Sequence, residues 1–150
     1  MNGGIQLAVE VSFILNAMED ETRLVRQIGE FVGNNEMSRV EVKGYYGNPM
    51  QIFSVLLNQD VGEAVLGKIL KLFSDNDMEV ILASLNSSID KNGNLHMRLD
   101  KQSILERKIR LSKRDPLKLK VMPRVSPPNP SDWPKWYSKK LKELRNSDQT

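Results

Sequence analysis

Ile5-Gln6-Leu7-Ala8-Val9-Glu10-Val11-Ser12-Phe13-Ile14-Leu15 is the stretch on which the fold turns. Ile5, Leu7, Val9, Val11, Phe13 and Leu15 alternate with Gln6, Ala8, Glu10 and Ser12. A period of two rich in β-branched residues predicts a long strand with one buried face. Just downstream, Glu19-Asp20-Glu21-Thr22 places acids where a helix would begin and where its dipole favours them. Leu24, Ile28, Phe31 and Val32 then follow at helical spacing until Gly33-Asn34-Asn35 stops the run.

Further out, Val40 and Val42 alternate with Arg39, Glu41 and Lys43, and Ile52 through Leu57 resume the strand pattern. Between them Gly44-Tyr45-Tyr46-Gly47-Asn48-Pro49 has turn chemistry, so residues 39–58 read as a β-hairpin. Val61, Val65, Ile69, Leu72 and Phe73 form the stripe of a second helix, with Asp60 as its expected N-cap. Asp77 is the expected cap of a short helix carrying Met78, Ile81, Leu82 and Leu85. A polar turn, Asp90-Lys91-Asn92-Gly93-Asn94, enters the strand Leu95–Leu99, and a helical turn is expected over Lys101–Leu105. Lys108–Leu111 and Leu117–Val121 are two further strand candidates. Helices segregated from a mostly antiparallel sheet describe an α+β fold, a two-layer sandwich.

From Pro123 the chain changes character. Val125-Ser126-Pro127-Pro128-Asn129-Pro130 should be extended and stiff. Beyond it Trp133, Trp136, Tyr137, Leu141 and Leu144 recur at helical spacing among lysines, with Pro134 allowed in a first turn. The expected division is therefore a domain over 1–123 and a Pro-rich linker with an amphipathic helix over 124–150. Two readings of that helix stand: it folds back on its own domain or a second copy, or it docks in a partner's groove.

Charge separates the chain into unlike parts. Residues 1–90 hold 6 Lys/Arg against 13 Asp/Glu, whereas residues 91–150 hold 16 against 6. Such asymmetry marks a polyanion-binding face. Catalysis has little to use: there is no cysteine and one histidine, His96, which alternation turns away from Leu95 and Met97. A thiolate site is excluded, a zinc site would rest mainly on carboxylates, and the 90–94 turn lacks the spaced acids of a calcium loop. No apolar run approaches the roughly 20 residues of a membrane span. The reading is a non-catalytic, cytoplasmic protein with no cofactor and no membrane attachment.

The basic stretch 101–124 carries most of the functional signal. If its two strand candidates pair with each other, alternation turns their apolar residues to the core and their cations outward, where they would neutralise phosphates. The candidate contacts there are Arg107, Lys108, Arg110, Lys113, Arg114, Lys118 and Lys120. Arg98, Asp100, Lys101 and Gln102 form a polar cluster at a strand end, suited to organising a turn or to touching a ligand through Arg98, Lys101 and Gln102. Around the hairpin tip stand Lys43, Tyr45, Tyr46 and Asn48, where the tyrosines either pack inward or stack on unpaired bases.

At these same residues the chain resembles the archaeal RNA-binding proteins described as predicted exosome subunits. The resemblance rests on Gly44-Tyr45-Tyr46-Gly47-Asn48-Pro49 and on the run from Asp90-Lys91-Asn92-Gly93-Asn94 through Leu99-Asp100-Lys101-Gln102, in matching order and separation over about residues 5–122. It implies a fold like the large-subunit ribosomal protein that binds five-S RNA, and it implies RNA as the partner, with a link to RNA processing or the exosome. It brings no catalytic residues. This chain departs from the pattern at Leu99, where the family tends to have an aromatic, and at Glu106-Arg107, where it has a small, glycine-containing turn. The expected partners are RNA, an RNA-processing complex and a second copy of the chain in a homodimer. The alternative function is an adaptor that docks through the Trp-bearing helix.

Overall fold

The computed structural model describes residues 7–16, 21–33, 37–43, 47, 49–114, 116–124 and 129–147. Five antiparallel strands form one sheet in the order β2-β3-β1-β5-β4: β1 (Leu7–Asn16), β2 (Ser38–Lys43), β3 (Pro49–Leu57), β4 (Leu95–Asp100) and β5 (Pro116–Pro123). Six helices accompany it: α1 (Glu21–Val32), α2 (Gln59–Leu72), α3 (Asp75–Ala83), α4 (Leu85–Ser88), α5 (Lys101–Leu105) and α6 (Trp133–Asn146). The fold is α+β, as the sequence pattern predicts. Among the described residues no helix is long and apolar enough to cross a membrane.

The alternation of β1 does what its period requires. Leu7, Val9, Val11, Phe13 and Leu15 are buried, and β1 sits at the centre of the sheet with β3 on one side and β5 on the other. Ile5 lies outside the described residues. Phe13 stands opposite Phe53 in register, their rings stacked with centroids 5.1 Å apart. Leu24, Ile28 and Val32 of α1, with Val65, Leu66, Ile69 and Leu70 of α2, complete the core against this face. Burying each such side chain contributes about 1.5–3 kcal/mol, and that burial holds the two layers together. Gly62 lets α2 approach closely: a Cβ there would lie 2.6 Å from the Leu57 carbonyl oxygen and 2.8 Å from that of Leu7.

Three local expectations are corrected. The cap of α2 is Asn58, with Asp60 inside the first turn near the helix dipole. The cap of α3 is Ser74, whose Oγ accepts from the Asp77 N–H, so Asp77 is the residue capped rather than the capping one. Lys108–Leu111 is not a strand beside β5. β4 pairs with β5, and Leu111 makes a single bridge to Leu99 on the opposite edge of β4.

The chain beyond Pro123 returns to the body. Tyr137, Leu141 and Leu144 of α6 are buried in the same core as α2. Arg145 donates to the carbonyls of Leu70 and Phe73 at 3.1 and 3.0 Å, putting a cation on the carbonyl end of α2. Lys140 pairs with Glu63 at 3.2 Å, and the other oxygen of Glu63 accepts from the Leu7 N–H. Residues 125–128 of the Pro-rich segment lie outside the described set.

Candidate functional site

The register fixes which side chains share the face turned away from the α1–α2 core. On this open face Ile14, Val40, Leu56, His96, Arg98 and Lys118 are exposed, although Ala8 on it is buried. Read from β2 to β4, one row is Ser38, Ser54, Ser12, Lys118 and Arg98. The next row is Leu56, Glu10, Lys120 and His96. On the other side lies the row Val40, Ile52 and Ile14. The open face therefore grades from aliphatic and hydroxyl groups at β2–β3 to cations at β5–β4. Val40 is 55 % exposed, because the two valines of β2 point to the open face and not to the helix layer.

The basic stretch reaches this face by an unexpected route. The Asp100 N–H donates to the Arg110 carbonyl at 2.7 Å, and the Ser112 N–H donates to the Arg98 carbonyl at 3.0 Å. This pairing sets Arg110 beside Asp100 and Ser112 beside Arg98, extending the open face past β4. Arg107, Lys108, Lys113 and Arg114 are exposed in the loop around that segment. Lys108 lies 3.8 Å from Glu106. Arg107 has φ 60°, a left-handed conformation that favours glycine.

Other candidates are placed elsewhere. Lys101 is buried, and its ammonium donates to the Ile14 carbonyl, so it fastens α5 to β1 instead of facing solvent. Gln102 is exposed on α5. Lys43 pairs with Pro49 at the far edge strand, on the opposite face from Lys118 by register. Tyr45, Tyr46 and Asn48 lie outside the described residues.

His96 is half exposed, and its Nε2 lies 2.8 Å from Asp90 Oδ2. Asp90 also accepts from the backbone N–H groups of Asn92 and Asn94. Partial burial works against its charge, but the hydrogen bonds from His96, Asn94 and Asn92 prevail and hold its carboxyl at about 2. The turn is fixed from behind by α6. The Tyr137 hydroxyl donates to the Gly93 carbonyl at 2.6 Å, and a Cβ on Gly93, whose φ is 85°, would lie 2.4 Å from the Trp133 ring.

Sequence reasoning did not single out the serine row or the pairing of Lys118 with Arg98. The alternation of Glu10 and Ser12 against the buried residues of β1 carried part of that signal. The pairing partner of each strand did not follow from it. Among the described residues no three His, Asp or Glu side chains gather as a metal site.

The chain was compared with known proteins. A family model described as RNA binding matches residues 8–122. The protein MJ0213 of Methanocaldococcus jannaschii is 26% identical over 103 residues, which cover 63% of this chain and 68% of that protein. The DUF54 protein Mth689 of Methanothermobacter thermautotrophicus has the same fold, with a TM-score of 0.76 and 22% identity, covering 92% of this chain and 99% of its own. AF2318 of Archaeglobus fulgidus, also DUF54, aligns with a TM-score of 0.77 and 26% identity over 91% of this chain and 99% of that one. The match over most of its length, across every strand of the sheet, places this chain in the RNA-binding family.

Proposed function

We propose that this protein is a non-catalytic RNA-binding module that holds RNA on the β5–β4 half of its open sheet face. The observation that carries this reading is the cross-strand pair Arg98–Lys118. Like charges directly opposite destabilise a sheet, by roughly 0.2–1 kcal/mol for such pairs. Neither cation has an acidic partner among the described residues. A phosphate in front of them turns that repulsion into attraction. Lys120 and Arg110 extend the same surface, and the serines of the shared row offer hydroxyls to phosphate or ribose.

In this reading Tyr45, Tyr46 and Asn48, which lie outside the described residues, remain candidate base contacts on the strength of their chemistry alone. A link to an RNA-processing complex such as the exosome, in the cytoplasm, belongs to the same proposal and rests on the resemblance. Docking through the tail is less favoured, because Tyr137, Leu141 and Leu144 are already buried against the chain's own body.

The test is a salt series of binding to single-stranded and double-stranded RNA, with DNA as control. Wild-type affinity should fall steeply with salt. Arg98→Glu with Lys118→Glu should weaken binding at least tenfold and flatten the slope of log K against log salt by roughly 0.7 per lost single-strand phosphate. Unchanged affinity in that double variant overturns the assignment. Loss confined instead to charge reversal at Arg107, Lys108 and Arg110 would move the contact off the sheet and onto the loop beyond β4.

A further inference from the structure

A cavity of about 730 Å³ opens between α3–α4 and the outer edge of β4, beside the open face. Its floor is the strand edge itself. Ile89 bridges to Leu95 at one end and Leu111 bridges to Leu99 at the other, so the edge is covered at both ends and bare between them. The Leu111 N–H also donates to Asp77 at 3.4 Å, which ties that wall to α3. The outward bonds of Asp100 and Arg98 show that even-numbered residues of β4 turn their backbone groups to this edge. The His96 carbonyl and the Arg98 N–H therefore face the cavity, and no backbone group among the described residues pairs with either.

The lining is mixed in a particular way. Val80, Ile81, Met97 and Leu111 supply apolar walls, while Ser87 and Ser88 add hydroxyls. Arg98 and Lys113 line the same space, and both are exposed. Asp90 also lines it, but its carboxylate is engaged by His96, Asn92 and Asn94. An extended peptide adding to the sheet needs a run of free edge, and the two bridges leave only the span 96–98. A planar base needs much less: one donor and one acceptor at its edge, apolar surface on its faces and a cation for its phosphate. The volume lies within the roughly 300–1,000 Å³ of small-ligand sites.

The geometry points to a pocket for a single unstacked ribonucleotide. Its base is read by the His96 carbonyl and Arg98 N–H, and its phosphate is held by Arg98 and Lys113. This rests on the RNA-binding reading above, and it makes single strands or bulges the preferred RNA, since a base inside a duplex cannot enter. Arg98 belongs to both surfaces, so a strand crossing the open face delivers a nucleotide over the β4 edge.

The experiment titrates the full-length protein with AMP, UMP and inorganic phosphate by calorimetry, and with single-stranded and double-stranded RNA. Val80→Trp and Ser87→Trp, both at exposed helical positions, each fill the pocket, and thermal unfolding checks that they fold. Saturable mononucleotide binding, tighter than phosphate, should be lost in both. Their single-strand RNA affinity should fall about tenfold, with duplex binding unchanged. Wild-type protein that takes up no mononucleotide at millimolar concentration, or filled variants that bind single strands like wild type, overturns the pocket. Lys118→Glu, outside the pocket, tests the open face separately. If it abolishes RNA binding while the filled variants do not, the pocket falls and the face stands. Mononucleotide binding without any RNA binding keeps the pocket and removes the face.

Discussion

Replacing Tyr137 by Phe removes one oxygen and should cost the protein about 2 kcal/mol. The side chain is fully buried, and its hydroxyl donates to the Gly93 carbonyl at 2.6 Å, with the Val121 carbonyl a longer 3.4 Å away. Burial, with the nearby charge of Asp90, pushes the phenol well above its ordinary pKa, so it remains a neutral donor at every working pH. Phenylalanine keeps the ring contacts with Trp133 and Trp136, whose centroids lie 5.6 and 4.9 Å away. What is lost is the partner of a carbonyl on a buried glycine, and leaving such an acceptor unpaired costs about 1–3 kcal/mol. In a chain of this size that lowers the melting temperature by roughly 4–8 °C. Urea unfolding followed by tryptophan fluorescence measures it, with the slope against denaturant unchanged. A loss below about 0.5 kcal/mol would refute the argument, since it would mean the Gly93 carbonyl finds water when the hydroxyl is gone.

Three further outcomes follow from individual residues. Arg107→Gly should stabilise the protein by up to about 1 kcal/mol in urea unfolding, because a positive φ costs an ordinary L-residue ~1–2 kcal/mol and glycine returns part of that as lost chain entropy. Lys101→Met should destabilise by about 2 kcal/mol through the lost charge-assisted bond to Ile14 while leaving RNA affinity unchanged; weaker RNA binding in a folded variant would return Lys101 to the contact surface. Asp90 has a depressed carboxyl, about 2 against an ordinary 3.8, so its contribution is present above about pH 4 and lost as pH falls toward 2. Asp90→Asn should flatten that part of the acid stability profile, and an unchanged acid limb would show that the His96 contact is inconsequential.

Legibility in the sequence followed the physics of each signal. Period-two alternation in β1 and the apolar stripes of α1 and α2 are consequences of one-sided burial: the pattern names the buried residues of β1 from Leu7 to Leu15 and Leu24, Ile28 and Val32 of α1. In α2 only Val65 and Ile69 of the stripe, with Phe73 at the helix end, are buried; Val61 and Leu72 are exposed, and Leu66 and Leu70 face the core instead. The helical turn Lys101–Leu105 was legible for the same reason, but the fate of Lys101 was not: a lysine beside a strand end reads as surface until tertiary packing closes over it. Caps shifted by two or three residues, from Asp60 to Asn58 and from Asp77 to Ser74, because several polar residues there compete for the same role. The basic stretch was legible as charge and not as geometry. Nothing in Lys108–Leu111 says that it lies along the outer edge of β4, since strand order is set by the whole topology. The cavity had no sequence signal at all, because its walls come from α3, α4, β4 and the loop after α5.

The C-terminal helix bears on the site although it lies beyond the residues that the family model matches. Trp133 packs against Gly93, Tyr137 bonds the same residue, and the turn they fix carries Asp90, which in turn holds His96. His96 shares the open face with Lys120, and its carbonyl opens into the cavity behind. A chain of direct contacts thus runs from α6 to both candidate surfaces, through the buried Tyr137 and Gly93 and then through the half-exposed Asp90–His96 hydrogen bond. The positive φ of Gly93 matters here for packing as much as for the turn: any side chain would push Trp133 outward and loosen the grip on Asp90. The Asp90–Asn94 turn, read from sequence as a simple polar connection, is the point at which the tail sets the position of β4's first residues.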